Sequence, residues 1–214
     1  MQQKNRSRHR HMTSFQVISL GFLSVILLGS LLLMLPIATK SGQSTSFSDA
    51  LFTATSAVCV TGLVIKDTAT YWSLFGQGVI LLLIQIGGMG IITIAIAIAA
   101  VSGRKIGLMQ RSTMQEAISA PTVGGIVRRT QFILIEIIGA ALLAPVFCRD
   151  FGVWKGIWYS LFHSISAFCN AGFDLIGIRT PFSSLTSYSV QPIVNLVIMV
   201  LIVVGGIGFL TWED

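Results

Sequence analysis

The stretch from Tyr71 to Val101 (YWSLFGQGVILLLIQIGGMGIITIAIAIAAV) contains no charged residue. A helix of roughly 20 apolar residues crosses a bilayer core. This run exceeds that length and is expected to tilt or protrude. Three further runs share its character. They extend from Ser14 to Ala38, ending near Pro36, from Thr130 to Cys148, and from Ser187 to Trp212. Of the 214 residues, 53% are hydrophobic and 10% charged, against about 25% charged in a soluble domain. That balance excludes a cytosolic enzyme and a disordered tail. It predicts an all-α membrane protein with several spans. The first run is too long for a cleaved signal peptide and no A-x-A site follows it, so it is expected to stay as a span.

The net charge of +6 does not indicate a nucleic-acid partner, because the basic residues sit at the ends of the apolar runs. Lys4, Arg6, Arg8 and Arg10 precede the first run. Arg104, Lys105, Arg111, Arg128 and Arg129 separate the second from the third. These nine lie on one side, against five on the other: Lys40, Lys66, Arg149, Lys155 and Arg179. The positive-inside rule then places the N-terminus in the cytoplasm. His9 and His11 read as part of the solvated basic arm. Cys59, Cys148 and Cys169 are too few and too scattered for a disulfide framework and read as small packing residues.

The two outer connections do not read as polar loops. One contains SFSDALFTATSAVCVTGLVI (Ser46–Ile65) and the other GIWYSLFHSISAFCNAGFDLIG (Gly156–Gly177). Each opens with helix-compatible sequence, reaches Gly62 or Gly172, and is too short to span. A re-entrant half-helix with an extended return is expected. At an offset of 110 positions, Phe52, Ser56, Ala57, Cys59 and Gly62 match Phe162, Ser166, Ala167, Cys169 and Gly172. At an offset of 118, Gly87, Gly88, Gly90 and Thr93 match Gly205, Gly206, Gly208 and Thr211. The shift in offset marks an insertion around IGIRTPFSS. The chain is therefore two copies of one unit, helix, re-entrant pore loop and helix, over residues 1–110 and 111–214.

A half-helix whose C-terminus points inward favours a cation. Free backbone carbonyls beyond it can replace an alkali cation's hydration shell, and glycine lets the chain aim them. Asp49, Asp67 and Asp174, at the loop edges, read as capping or outer-mouth residues. The runs TSAVCVTGL, ISAFCNAGF, QIGGMGIIT and VVGGIGFLT resemble those of the Trk/Ktr/HKT potassium transporter superfamily, most closely the membrane subunit of bacterial Ktr systems. The resemblance covers nearly the whole chain. It implies four helix–loop–helix units around one pore, with one filter glycine per loop. On that pattern Gly62 and Gly172 are filter glycines. Val60 and Thr61, with Asn170 and Ala171, present carbonyls to K⁺, and the Asn170 side chain stands behind them. Two units cannot enclose a four-fold pore, so the chain is expected to be the N-terminal half of a longer protein, with a half-length dimer as the alternative. The resemblance further implies K⁺ as the transported ion with Na⁺ coupling open, a homodimer of the full-length form, and a cytosolic nucleotide-binding KtrA-like regulatory ring. No cofactor and no catalytic residue are implied.

Glu136 is the one acid deep in a span, a functional candidate by its position. It could serve a subunit contact, broken backbone or an ion, or simply be satisfied by a neighbour. The Gly87–Gly90 cluster lacks the Lys and Ser/Thr of a phosphate loop and reads as close helix packing. Arg104–Ser119 is amphipathic and is expected on the cytoplasmic membrane surface, where it could meet the ring. His163 reads as a satisfied buried histidine. Two other functions remain open: a membrane assembly protein that tolerates changes at Gly62 and Gly172, and an organic-solute carrier. The carrier has little midplane polarity to draw on beyond Glu136 and Gln85.

Overall fold

The computed structural model describes residues 14–90, 125–178 and 180–207. Helices α1 (Ser14–Met34), α2 (Phe47–Val58) and α3 (Leu74–Met89) form the first unit. Helices α4 (Gly125–Phe151), α5 (Val153–Phe168) and α6 (Pro192–Gly206) form the second. Single 3₁₀ turns lie at Pro36–Ala38 and Ser184–Tyr188. In each unit the middle helix (α2 or α5) packs against the apolar helices before and after it, and α3 also packs on α5 to join the units.

Local chemistry sets the ends. Pro36 opens the turn that closes α1, where a missing N–H costs nothing. The Ser46 hydroxyl caps α2 by accepting from Asp49 N, and Ser73 caps α3 by accepting from Gly76 N. Ser73 also donates to the Ile37 carbonyl at 2.6 Å. Together with the Thr39–Trp72 bridge and the bond from Lys40 N to Tyr71 O, this ties both ends of the first outer connection.

The spans differ from the sequence expectation in their bounds. The run from Tyr71 to Val101 does not continue as one helix. α3 stops at Met89, and Gly90 takes φ +78 with its N–H on Gly87 O. That left-handed backbone is open to glycine and ends the helix. The third helix begins earlier than Thr130, at Gly125. The fourth begins later than Ser187, because Pro192 opens it. Among the described helices, Phe132–Phe151 alone is long and apolar enough to cross a membrane. Ile18–Met34, Leu74–Gly88 and Pro192–Gly206 are shorter apolar helices.

The outer faces are apolar. Leu27, Leu28, Leu31 and Leu32 on α1 are exposed, as are Ile133, Leu134, Ile137 and Ile138 on α4 and Leu196, Met199, Val200 and Val203 on α6. Soluble monomers rarely expose contiguous apolar patches of such extent. Lipid tails accept these faces without cost. Inside, Leu33, Ala54, Val58, Ile80 and Ile84 fill the first unit and Phe147, Phe162, Val194 and Leu201 the second.

Polar links cross between the units. Trp158 Nε1 donates to Gln77 Oε1 at 2.9 Å. Gln85 Nε2 donates to Glu136. Phe182 N donates to Asp67 Oδ2 at 2.8 Å.

Candidate functional site

Helices α2 and α5 end in the same way. Cys59 and Cys169 close them, with N–H groups bonded to Thr55 O and Ile165 O. Val60 (φ +52) and Gly62 (φ +73) then adopt left-handed backbone, as do Asn170 (φ +58) and Gly172 (φ +72). Val60 and Asn170 are among the few non-glycine residues with positive φ, and a β-branched valine there is strained. Asn170 tolerates the same backbone more readily, and the left-handed conformation recurs at matching positions of both units, so it belongs to the motif rather than to one loop.

The hydrogen bonds repeat as well. Val60 N and Thr61 N turn back to Ala57 O and Ser56 O. Asn170 N and Ala171 N turn back to Ala167 O and Ser166 O. The loop amides are thus spent on the helix ends behind them. Among the described residues, no donor reaches the carbonyls of Val60, Thr61, Gly62, Asn170, Ala171 or Gly172. Val60, Gly62 and Ala171 are buried or half-buried, where carbonyls are normally paired, and Thr61, Asn170 and Gly172 are exposed. Six left open together make a surface rich in partial negative charge.

Both loops meet at their glycines. A Cβ on Gly62 would stand 2.8 Å from Ala171 O and 3.3 Å from Gly172 Cα, and one on Gly172 would stand 3.3 Å from Gly62 Cα. The fold therefore gathers the six loop residues named from sequence into one place. Hydroxyls support them from behind. Ser56 Oγ lies 2.8 Å from Thr61 Oγ1. Ser166, whose counterpart of Thr61 is the hydroxyl-free Ala171, donates instead to Phe173 O at 2.6 Å. The Asn170 side chain is exposed and shows no hydrogen bond among the described residues. Instead of bonding behind the carbonyls, its Nδ2 leans towards Gly206, 3.6 Å from where a Cβ there would lie.

The glycine-rich helix ends press on the same structure. A Cβ on Gly87 would collide with Val58 O, and one on Gly205 with Phe168 O. A Cβ on Gly88 would meet Cys169 at 2.6 Å. Close packing is thus the role of this cluster.

Glu136 lies apart from the six loop residues. It is buried on α4, and its two carboxylate oxygens accept from Gln85 Nε2 at 2.9 and 3.0 Å. Ser164 of α5 donates to its main-chain carbonyl at 2.6 Å. His163 is a satisfied core residue. Its Nε2 accepts from Leu175 N at 3.3 Å, which leaves Nδ1 to donate to Tyr159 O at 2.7 Å. The acids at the loop edges hold backbone or pair locally. Asp67 Oδ1 accepts from Thr70 N and its hydroxyl, Asp174 Oδ1 accepts from Ile176 N, and Asp49 lies 3.7 Å from Lys66 Nζ. The basic arm with His9 and His11, the segment Arg104–Ser119, and Arg179 lie outside the described residues.

Sequence reasoning passed over the bonds Ser166–Phe173 and Trp158–Gln77, and no spacing signal in the chain marks either.

Comparison with known proteins agrees with this architecture. The TrkH family of cation transport proteins matches residues 1–214. The potassium/sodium uptake protein NtpJ of Enterococcus hirae is 44% identical over 99% of this chain and 47% of its own length. The Ktr system potassium uptake protein B of Bacillus subtilis is 46% identical over 93% of this chain and 44% of its own. The protein of the same name from Vibrio alginolyticus is 37% identical over 93% and 43%. The chain thus spans a little under half the length of these relatives. With its apolar outer faces, paired units and matching sequence throughout, it is a membrane protein belonging to the TrkH family of cation transport proteins.

Proposed function

We propose that this chain supplies two of the four quarters of a potassium-conducting pore, and that K⁺ passes by shedding water onto the carbonyls of Val60, Thr61, Gly62, Asn170, Ala171 and Gly172. The observation that carries the reading is the pair of matching loops with left-handed backbone at every second residue and carbonyls left without donors. Such alternation turns successive carbonyls to one side of the chain. The C-termini of α2 and α5 stand directly behind them, adding partial negative charge. The carbonyls then substitute for hydration water. Transport is inward, driven by membrane potential, and involves no covalent step.

The names of the relatives support potassium as the ion, and that of the Enterococcus protein supports sodium as a second one. The Ktr system named in the relatives supports a partner subunit, and the family resemblance alone suggests a homodimer of the full-length form and a cytosolic nucleotide-binding KtrA-like ring. The charge bias of the sequence supports a cytoplasmic N-terminus in the cell membrane of a bacterium.

The test is growth rescue of a bacterium lacking its own potassium uptake, at limiting K⁺, by the full reading frame with its regulatory subunit. Gly62→Ser and Gly172→Ser are run beside the parent. Rescue by the parent, with loss of growth or of ion preference in both variants, supports the carbonyl filter. Failure of a well-inserted parent overturns potassium uptake. Rescue that survives both substitutions favours a packing role for the loops.

A further inference from the structure

Glu136 and Gln85 stand on opposite units of the chain. Glu136 is on the first helix of the second unit and Gln85 on the last helix of the first. The carboxylate is 3% exposed and takes both of its bonds from the single Gln85 amide nitrogen. The other end of that amide points at the loop: the Cys169 thiol lies 3.9 Å from Gln85 Oε1. Cys169 precedes Asn170 in the second loop. Gln85 in turn stands two residues before Gly87, which seats the end of α2 behind the first loop. From the other side, Ser164 on α5 donates to the Glu136 carbonyl. One buried carboxylate–amide contact therefore ties α4 to the helix that carries Gly87 behind the first loop, and it borders Cys169 of the second.

We propose that Glu136 and Gln85 are positioning residues for the filter: their contact sets the spacing between the two loops that meet at Gly62 and Gly172, and with it the preference for K⁺ over Na⁺. The inference rests on the carbonyl-filter reading. The physical reason is separation of scale. Selectivity depends on the number and placement of carbonyls around the ion, and a small displacement between two touching loops alters both. A buried acid in a span is costly, and a contact this well aimed gives it a use that apolar packing lacks. An uncharged pair fills the same space without fixing direction, because a carboxylate accepts on both oxygens and an amide on only one.

The test uses the full-length transporter with its regulatory subunit, in cells lacking other potassium uptake. The variants are Gln85→Glu, Glu136→Gln and the exchange Gln85→Glu/Glu136→Gln. Relative K⁺ and Na⁺ uptake is measured, and labelling of Cys169 by a membrane-permeant maleimide is read by peptide mass spectrometry. Gln85→Glu places two carboxylates together. The expected result is a fall of about tenfold in K⁺ preference, the ratio that about 1.4 kcal/mol produces, with faster labelling of Cys169. The exchange restores one acid and one amide and is expected to recover both readouts. Unchanged preference in Gln85→Glu overturns the proposal. So does an exchange that reaches the membrane at the parental level yet leaves preference and labelling disturbed. If Gln85→Glu fails to accumulate, the comparison of Glu136→Gln with the exchange decides by the same two readouts: a disturbed Glu136→Gln corrected by the exchange supports it, and equal values overturn it. A parent that transports no potassium defeats the filter reading itself, and Cys169 labelling still separates the variants.

Discussion

Gly87 lies with its α-carbon against the carbonyl oxygen of Val58, the last residue of α2. Gly205 stands in the same relation to Phe168, the last residue of α5. α3 and α6 thus seat the ends of α2 and α5 at points where no Cβ fits. Gly87→Ala and Gly205→Ala are expected to push the helix ends apart. Overpacking of this kind costs about 1–3 kcal/mol. Gly78 supplies the control, since a Cβ there meets nothing within 4 Å, and Gly78→Ala at a helix-interior position is expected to be neutral or to stabilise by up to about 1 kcal/mol. Thermal unfolding of the detergent-solubilised transporter ranks the three. Equal transitions for Gly87→Ala and Gly78→Ala would remove the contact from the account.

The loop glycines differ in a way that sequence alone did not reveal. Both have positive φ, which costs an alanine roughly 1–2 kcal/mol. A Cβ on Gly62 would also stand 2.8 Å from Ala171 O, while one on Gly172 would meet only Gly62 Cα, at 3.3 Å. Gly62→Ala is therefore expected to impair potassium uptake more than Gly172→Ala. In both variants the K⁺ over Na⁺ uptake ratio is expected to fall before total flux is lost. The reverse order in an ion-competition assay would contradict the asymmetry.

The legible and illegible parts of this chain divide along a physical line. The loops could be read because they repeat, and because glycine is required where backbone turns left-handed. Gly62 and Gly172 carry both signals. The ends of the spans were harder, since uniformly apolar helices have no period to mark a boundary. Gly90 stops α3 inside an uncharged run, and Pro192 sets the start of α6. Glu136 and Gln85 each stood out as polar groups at depth. Their pairing across 51 positions is a property of tertiary packing and leaves no local trace. The same holds for Trp158 on Gln77 and for the Asn170 side chain, which the fold sends towards Gly206 rather than behind the carbonyls.

His163 fixes the return of the second loop. Its Nε2 accepts from Leu175 N while Nδ1 donates to Tyr159 O, and the ring lies among Phe147, Tyr159 and Phe162. In His163→Phe the ring still fills the space, but the Leu175 N–H is buried without a partner, at a cost of about 1–3 kcal/mol. A lower unfolding temperature with preserved helix content is expected. An unchanged transition would show that water reaches Leu175.

Asp67 gives a matching test on the face that the proposed orientation puts outside the cell. Its Oδ1 holds the turn at Thr70 and its Oδ2 takes the Phe182 N–H from the insertion in the second unit. Gly177 lies so close that a Cβ would collide with the carboxylate. Asp67→Ala removes three accepted bonds, each worth a net of about 1.5–3 kcal/mol where the acceptor is charged. The insertion should then detach locally while the helices remain packed, because α2, α3, α5 and α6 make their main contacts elsewhere. Limited proteolysis from the outside of intact cells is expected to cut near Phe182 faster in Asp67→Ala than in the parent. The Lys66–Asp49 pair is the comparison. At 3.7 Å and with side chains 40% and 26% exposed, it contributes about 0–1 kcal/mol, so Lys66→Ala should leave the cleavage rate close to parental. Equal acceleration in the two variants would mean that surface charge, not the Asp67 contact, holds the outer segment down.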